Sequence, residues 1–171
     1  MSGPTTALRN VAVIGHGGTG KTTLVDQMLA AAGAIPKAER VETGRTVSDF
    51  TEEEIARKIS IHASLSHLAW KDRKVNVLDT PGSADFVGEV IAALRVAETA
   101  VLAVGADVGV QIETLKLWRR LGRTEMPRFV FVNKMEKERA DFDAAVADLK
   151  EKFKASFVPV TIPIGAAAEF K

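Results

Sequence analysis

Apolar positions along the chain fall into short continuous runs, separated by longer stretches in which they recur every third or fourth residue. The runs "NVAVIG", "KVNVLD", "TAVLAVGA", "RFVFVN" and "FVPVTIPI" are rich in β-branched residues and short, which predicts buried strands rather than helices. Between them Leu24, Met28 and Ala32 recur at helical spacing, as do Phe142, Val146, Leu149 and Phe153. Both sets are core-facing helix stripes with no chemistry of their own. Strands alternating with helices predict an α/β fold built on a mostly parallel sheet with helices on both faces.

One stretch alternates strictly. Ile59, Ile61, Ala63 and Leu65 stand against Ser60, His62, Ser64 and Ser66, which predicts a strand with its apolar face buried and its polar face wet. Past "KDRK" comes Val75 to Leu78, so the pair reads as an antiparallel hairpin at the sheet edge. Ahead of it, Ala38 to Lys58 is charged and poor in apolar residues. A long mobile loop of this kind inside a compact domain is usually functional or disordered. The chain shows no internal repeat.

Composition narrows the class. At 171 residues and 46% hydrophobic content the chain suits one domain with one core. The formal net charge of +1 gives no bulk electrostatic reason to wrap nucleic acid, so free DNA is not an expected partner; Arg119, Arg120 and Arg123 form only a local basic face, usually a solvated helix surface. There is no cysteine, which excludes disulfides and thiolate metal sites. The "VAVIG" run is too short for a signal-peptide core, and the longest apolar stretch is broken by Arg95, Glu98 and Asp107, so no membrane partner is expected and the reading is cytoplasmic.

"GHGGTGKT", Gly15 to Thr22, matches G-x-x-x-x-G-K-[ST] between an expected strand and an expected helix. Glycines there let successive N–H groups converge on phosphate oxygens, and the helix start adds positive potential. Lys21 bridges the outer phosphates and Thr22 ligates Mg²⁺. The bland alternative, a glycine-rich turn without a ligand, is much the weaker reading of so specific a pattern. Lys21 is expected to face solvent until phosphate arrives. "DTPG" follows the apolar strand "VNVL": Asp79 can hold a metal-bound water, and Gly82 can offer its N–H to a terminal phosphate. Alone this would be a plain turn; placed after a phosphate loop it is a strong signal. "NKME", Asn133 to Glu136, puts an amide and a carboxylate at a strand's C-terminal end, where α/β ligands sit. A carboxylate there accepts from the ring N–H and exocyclic amine of guanine. A polar strand-to-helix loop remains the competing reading of this motif.

Taken together, "GHGGTGKTT", "SDFTEEEIARKISI", "DTPGSADFVGEV", "ADVGVQIETLKLWRR", "NKMEKERADF" and "PVTIPIGAAAEFK" resemble the nucleotide-binding domain of translational GTPases, most closely the elongation factor G family. The resemblance covers the chain from about Asn10 to Lys171. It implies a P-loop NTPase fold, GTP or GDP with Mg²⁺ as cofactors, and a ribosome-associated switch that hydrolyses GTP. The implied phosphate residues are Gly15, His16, Gly17, Gly18, Thr19, Gly20, Lys21, Thr22 and Thr23, with Asp79 and Gly82 opposite. Asn133, Lys134 and Glu136 would hold the base, Thr22, Ser60 and Asp79 the metal, and Lys21, Gly82 and Ser83 would be catalytic. Ser60 stands where the family has a threonine that joins Mg²⁺ and the γ-phosphate.

Departures from the family pattern carry as much information. Ser83 replaces the histidine that usually orients the attacking water, Gly18 replaces an acid, and Glu136 replaces the aspartate that reads guanine. The family's later Ser-Ala motif is absent, so the chain resembles the N-terminal part of a larger factor, a single GTP-binding domain over 1–171 that stops before the family's insertion. His16 belongs to the phosphate-loop pattern and is expected to be structural; His62 and His67 are expected to be solvated or packed. Hydrolysis is therefore expected to be slow. A non-hydrolysing nucleotide-dependent interaction module is the alternative, and "NKME" argues against an ATP-dependent phosphotransferase.

Overall fold

The computed structural model describes residues 5–165 and 167–170. Met1 to Pro4 and, in the closing segment quoted above, Ala166 and Lys171 lie outside the described residues. Five strands form one sheet: β1 (Leu8–Ile14), β2 (Ser64–Trp70), β3 (Arg73–Asp79), β4 (Thr99–Gly105) and β5 (Arg128–Asn133), in the order β2-β3-β1-β4-β5. β1 pairs in parallel with β3 and β4, and β4 in parallel with β5. Only β2 and β3 run antiparallel, which is the expected edge hairpin.

Alternation along β1 sorts the core. Ala12 and Ile14 join Leu102 and Val104 under three helices, α3 (Val87–Val96), α4 (Ile112–Arg123) and α5 (Phe142–Phe153). Val13 points the other way, into Val77, Leu68, and Val25 and Leu29 of α1 (Lys21–Ala31). Helices thus cover both faces; the second stripe lies on α5 as expected, whereas of the first Leu24 and Met28 lie on α1 at the margin of the core filled by Val25 and Leu29, and Ala32 caps that helix. A stacked Trp118–Phe153 pair, ring centroids 4.3 Å apart, with the Arg128 guanidinium 4.1 Å from the Trp118 ring centre, ties α4, α5 and β5 together.

Two expectations about strands fail. The alternating stretch pairs over Ser64–Trp70 rather than from Ile59, and its faces are inverted: Ser66 and Leu68 are buried while Leu65 is 69% exposed. Register decides this, because Ser66 opposite Val77 and Leu68 opposite Val75 place Leu68 against the α1 face, and a one-residue change of phase flips every side chain. "FVPVTIPI" forms no strand among the described residues; Val158, Val160 and Ile162 are 86%, 81% and 75% exposed. Pro159 and Pro163 offer no N–H to a ladder, and Phe157 turns in against Trp118 instead.

The polar stretch before β2 is also more ordered than a bare loop. It contains a 3₁₀ turn (Val41–Thr43) and a short helix, α2 (Glu52–Arg57). Thr51 and Glu54 close a capping box at its start. Glu54 is fully buried, and its carboxylate accepts from Thr51 N and Oγ1, Ile61 N and His62 N at 2.8–3.1 Å. Burial alone would push this carboxyl up; those donors outweigh it and hold it below the ordinary carboxylate value.

Candidate functional site

The chain crosses from β1 to β3 on one side and then to β4 on the other, so the C-terminal end of β1 is where strand order reverses, the place α/β sheets bind ligands. Gly15 to Gly20 leave β1 at that point and lead into α1. Gly20, which caps α1, has φ +82°, and a Cβ on it would lie 2.5 Å from the Asn133 amide nitrogen. Only glycine lets the loop pass so close, and the contact is used: Asn133 Nδ2 donates to the Thr19 carbonyl at 2.7 Å. The ends of β1 and β5 are therefore joined directly. Thr80 adds a second tie by donating to the Val13 carbonyl at 2.8 Å.

Lys21 departs from expectation. Its side chain is buried rather than solvent-facing, and Nζ donates to the His16 carbonyl at 3.0 Å inside the loop. Burial lowers its pKa to about 8, against the opposing pull of the Asp79 and Asp49 carboxylates. A desolvated cationic lysine of this kind is stabilised by any phosphate that reaches it. Gly82 packs down on the same group: a Cβ there would lie 2.5 Å from Lys21 Nζ and 2.6 Å from Gly17 N. A side chain at 82 would block the approach of backbone and ammonium to one ligand.

Thr22, Ser60 and Asp79 come together from three separate elements. Thr22 Oγ1 lies 3.2 Å from Ser60 Oγ. Asp79, at the end of β3, is buried, and neither of its oxygens has a hydrogen-bond partner. Burial pushes its carboxyl up to about 6, against the pull of the Thr22 and Ser48 hydroxyls and the Lys21 ammonium. Asp49 is missing from the residues read off the sequence. Its Oδ1 accepts from Ser60 Oγ at 2.7 Å, its Oδ2 is buried without a partner, and burial raises its pKa as well. The Ser48 hydroxyl is likewise orphaned. Every one of these atoms is a hard oxygen, the donor set Mg²⁺ takes and softer metals do not need. Among the described residues no group of three or more His, Cys, Asp or Glu could hold a metal ion.

The remaining residues fall into place less tightly. His16 is half-buried, its Nδ1 is 3.1 Å from Thr114 Oγ1, and burial, then the Lys21 and Lys134 charges, lower its pKa. That is a packed structural histidine, as expected. His62 and His67 are exposed. Gly17 and Gly18 are exposed on the loop, and Thr19 is buried with Oγ1 donating to the His16 carbonyl; Thr23 is half-buried on α1. Lys134 takes φ +63° directly after β5, and Glu136 lies exposed in the turn that follows. The backbone beyond α5 returns to this turn, where Ala167 N donates to the Met135 carbonyl at 2.8 Å. Ser83 caps a 3₁₀ turn (Ala84–Phe86): Oγ accepts from Asp85 N at 3.4 Å and donates to Asp85 Oδ2 at 3.2 Å.

Comparison with known proteins identifies the family. A family model described as the elongation factor Tu GTP binding domain matches residues 6–169. The elongation factor G-like protein of Thermotoga maritima is 43% identical over 96% of this chain and 23% of its own length. Elongation factor G of Petrotoga mobilis is 37% identical over 98% of the chain and 24% of its own length; mitochondrial ribosome-releasing factor 2 of Mus musculus is 39% identical over 98% and 22%. A crystal structure of a Thermus thermophilus protein superposes with TM-score 0.89 at 35% identity, covering 95% of this chain and 24% of that one. The chain thus spans about a quarter of the length of these relatives. No helix among the described residues is long and apolar enough to cross a membrane. The chain belongs to the elongation factor Tu GTP-binding domain family.

Proposed function

We propose that this domain is a Mg²⁺-dependent guanine-nucleotide switch that works on the ribosome within the cytoplasm and hydrolyses GTP slowly by itself. One observation carries the reading: Lys21, Thr22 and Ser60 gather around Asp79, whose two buried oxygens lack hydrogen-bond partners. Phosphates would take the N–H groups of Gly17 to Lys21 and the Lys21 ammonium, which they would keep protonated. Thr22, Ser60, Asp79 and Asp49 would hold Mg²⁺, which when bound neutralises charge on the outer phosphates. Gly82 would present its N–H to the terminal phosphate. Asn133 shapes the loop, while the Lys134 stem and the Glu136 carboxylate would face the base. Glu136 is one methylene longer than an aspartate, so the preference for guanine is weaker than a well-built site gives.

Slow hydrolysis follows from position 83. The Ser83 hydroxyl is engaged with Asp85 and has no basic site near neutrality to orient water. The same observation favours a second reading, a nucleotide-dependent interaction module that does not hydrolyse at all. The test is titration with fluorescent GDP in Mg²⁺ and in EDTA, with GTP and ATP as competitors, followed by single-turnover phosphate release. The switch reading expects binding that weakens by about tenfold or more in EDTA and slow but finite release. Release indistinguishable from buffer selects the interaction module, and ATP competing as well as GTP overturns the guanine assignment.

A further inference from the structure

Asp26 lies on α1 one helical turn beyond Thr22, on the same face, and is 0% exposed. A carboxylate in a helix interior without a cation needs other donors, and it finds two outside the helix. Oδ2 accepts from Glu39 N at 3.0 Å and Oδ1 from Val47 N at 3.1 Å. Both ends of the 39–47 loop are thus pinned to the helix that starts at the phosphate loop. Two residues past Val47 is Asp49, whose Oδ1 accepts from Ser60 Oγ at 2.7 Å, and Ser60 Oγ lies 3.2 Å from Thr22 Oγ1. The contacts close a ring: Thr22, one turn of α1, Asp26, Val47, Asp49, Ser60, and back to Thr22.

From that ring we infer that Asp26 is a positioning residue for the metal site: it sets the 39–47 loop so that Asp49 and Ser48 reach the point between Thr22 and Asp79. The inference rests on the nucleotide-site reading above. Asp26 touches neither nucleotide nor metal in this scheme; it acts through Val47 and Asp49. A carboxylate suits the task because it presents two acceptors and no donor, so both N–H groups are satisfied at once. An asparagine of equal size satisfies one and turns a donor toward the other.

The experiment has two readouts. Trypsin cleavage at the exposed Arg40 and Arg45, followed by mass spectrometry on nucleotide-free protein, reports the loop without needing any ligand. The Mg²⁺ concentration for half-maximal retention of fluorescent GDP reports the metal site. Asp26→Asn is expected to speed cleavage by about tenfold or more and to raise the Mg²⁺ requirement by a similar factor. Asp26→Asn combined with Asp49→Asn should raise it no further than the larger single effect, because the two lie on one path. Effects that multiply, or unchanged cleavage, overturn the inference. Should Asp26→Asn fail to fold, Val47→Pro removes the same hydrogen bond from the exposed side and must give the same pattern. If GDP does not bind to wild type, the nucleotide reading fails while the cleavage comparison still decides the clamp.

Discussion

The Asn133 side-chain amide donates to the Thr19 carbonyl at 2.7 Å, so the strand end that carries "NKME" also holds the phosphate loop in shape. The two jobs separate by mutation. Asn133→Ala is expected to weaken GDP and ADP alike by about tenfold, the worth of one well-placed buried hydrogen bond, because the loss lies under the phosphates. Glu136→Ala is expected to weaken GDP alone, and Glu136→Asp to widen the GDP-to-ADP ratio toward the roughly 10⁴ of well-built hydrogen-bonding sites. Calorimetric titration of the three variants with both nucleotides measures this; a Glu136→Ala protein with an unchanged ratio would remove that residue from base recognition.

Asp79 costs the nucleotide-free protein stability that ligand binding needs. Its buried carboxyl has a pKa of about 6 against an ordinary value of 3.8. With a raised carboxyl pKa the folded protein binds the extra proton between those two values, so wild type loses stability as pH rises through that window. The full penalty, on the order of 3 kcal/mol as an upper bound, is present above about pH 6. Asp79→Asn removes the penalty. It is expected to raise the melting temperature of the nucleotide-free protein above about pH 6 and to give no gain near pH 4, while abolishing the Mg²⁺ dependence of GDP binding. Melting curves across that range decide it, and equal curves at every pH would mean that Asp79 is not a desolvated charge.

Much of this was legible in the amino-acid pattern. β5 spans the expected "RFVFVN", and the "GHGGTGKT", "DTPG" and "NKME" segments begin at the C-terminal ends of the parallel strands β1, β3 and β5. What was not legible depends on partners distant in sequence. The strand pattern at Ile59 to Ser66 looked decisive, yet only register against β3 chooses which face is inside. Lys21 is expected in solvent but is buried, with Nζ on the His16 carbonyl and Gly82 packed close to it, contacts that no local rule reports. Asp49 lay in the quoted "SDFTEEEIARKISI", but without the fold nothing distinguished it from the other acids of that stretch. The "TEEE" capping pattern could have revealed α2, since Thr51 and Glu54 have the required spacing.

Glu54 organises that same stretch by accepting from Thr51, Ile61 and His62. Its pKa is lowered in the folded state, so its contribution is fully present above the ordinary glutamate value and is lost as pH falls through the lowered one. Glu54→Gln keeps the shape but not the charge, and is expected to cost about 2 kcal/mol near neutral pH. The loss should be local. Hydrogen exchange at 50–62 should accelerate while β1 and β4 stay protected, and the difference from wild type should shrink in acid, where wild type loses its charge too. Uniform acceleration across the sheet would count against a local role.

Ser83 carries the last prediction. Its hydroxyl caps the turn at Ala84–Phe86 and bonds Asp85, and it directly follows Gly82, which packs on Lys21 and Gly17. On the proposed reading, a side chain at 83 would lie beside the terminal phosphate and far from the base. Ser83→His gives up the cap, which should lower stability by about 1 kcal/mol. In exchange it gains an imidazole that can orient water and stabilise developing charge, a function usually worth about 10²- to 10⁴-fold in rate. On the proposed reading the phosphate loop and Mg²⁺ hold the nucleotide in either variant, so affinity should stay level while the rate rises, as when a group acts only in the transition state. Single-turnover phosphate release at saturating GTP, with and without ribosomes, and a parallel GDP titration separate these effects. A serine protein that already releases phosphate as fast as the histidine variant would show that position 83 does not limit hydrolysis. A histidine variant that binds GTP much more tightly would show that the side chain touches the ground state instead.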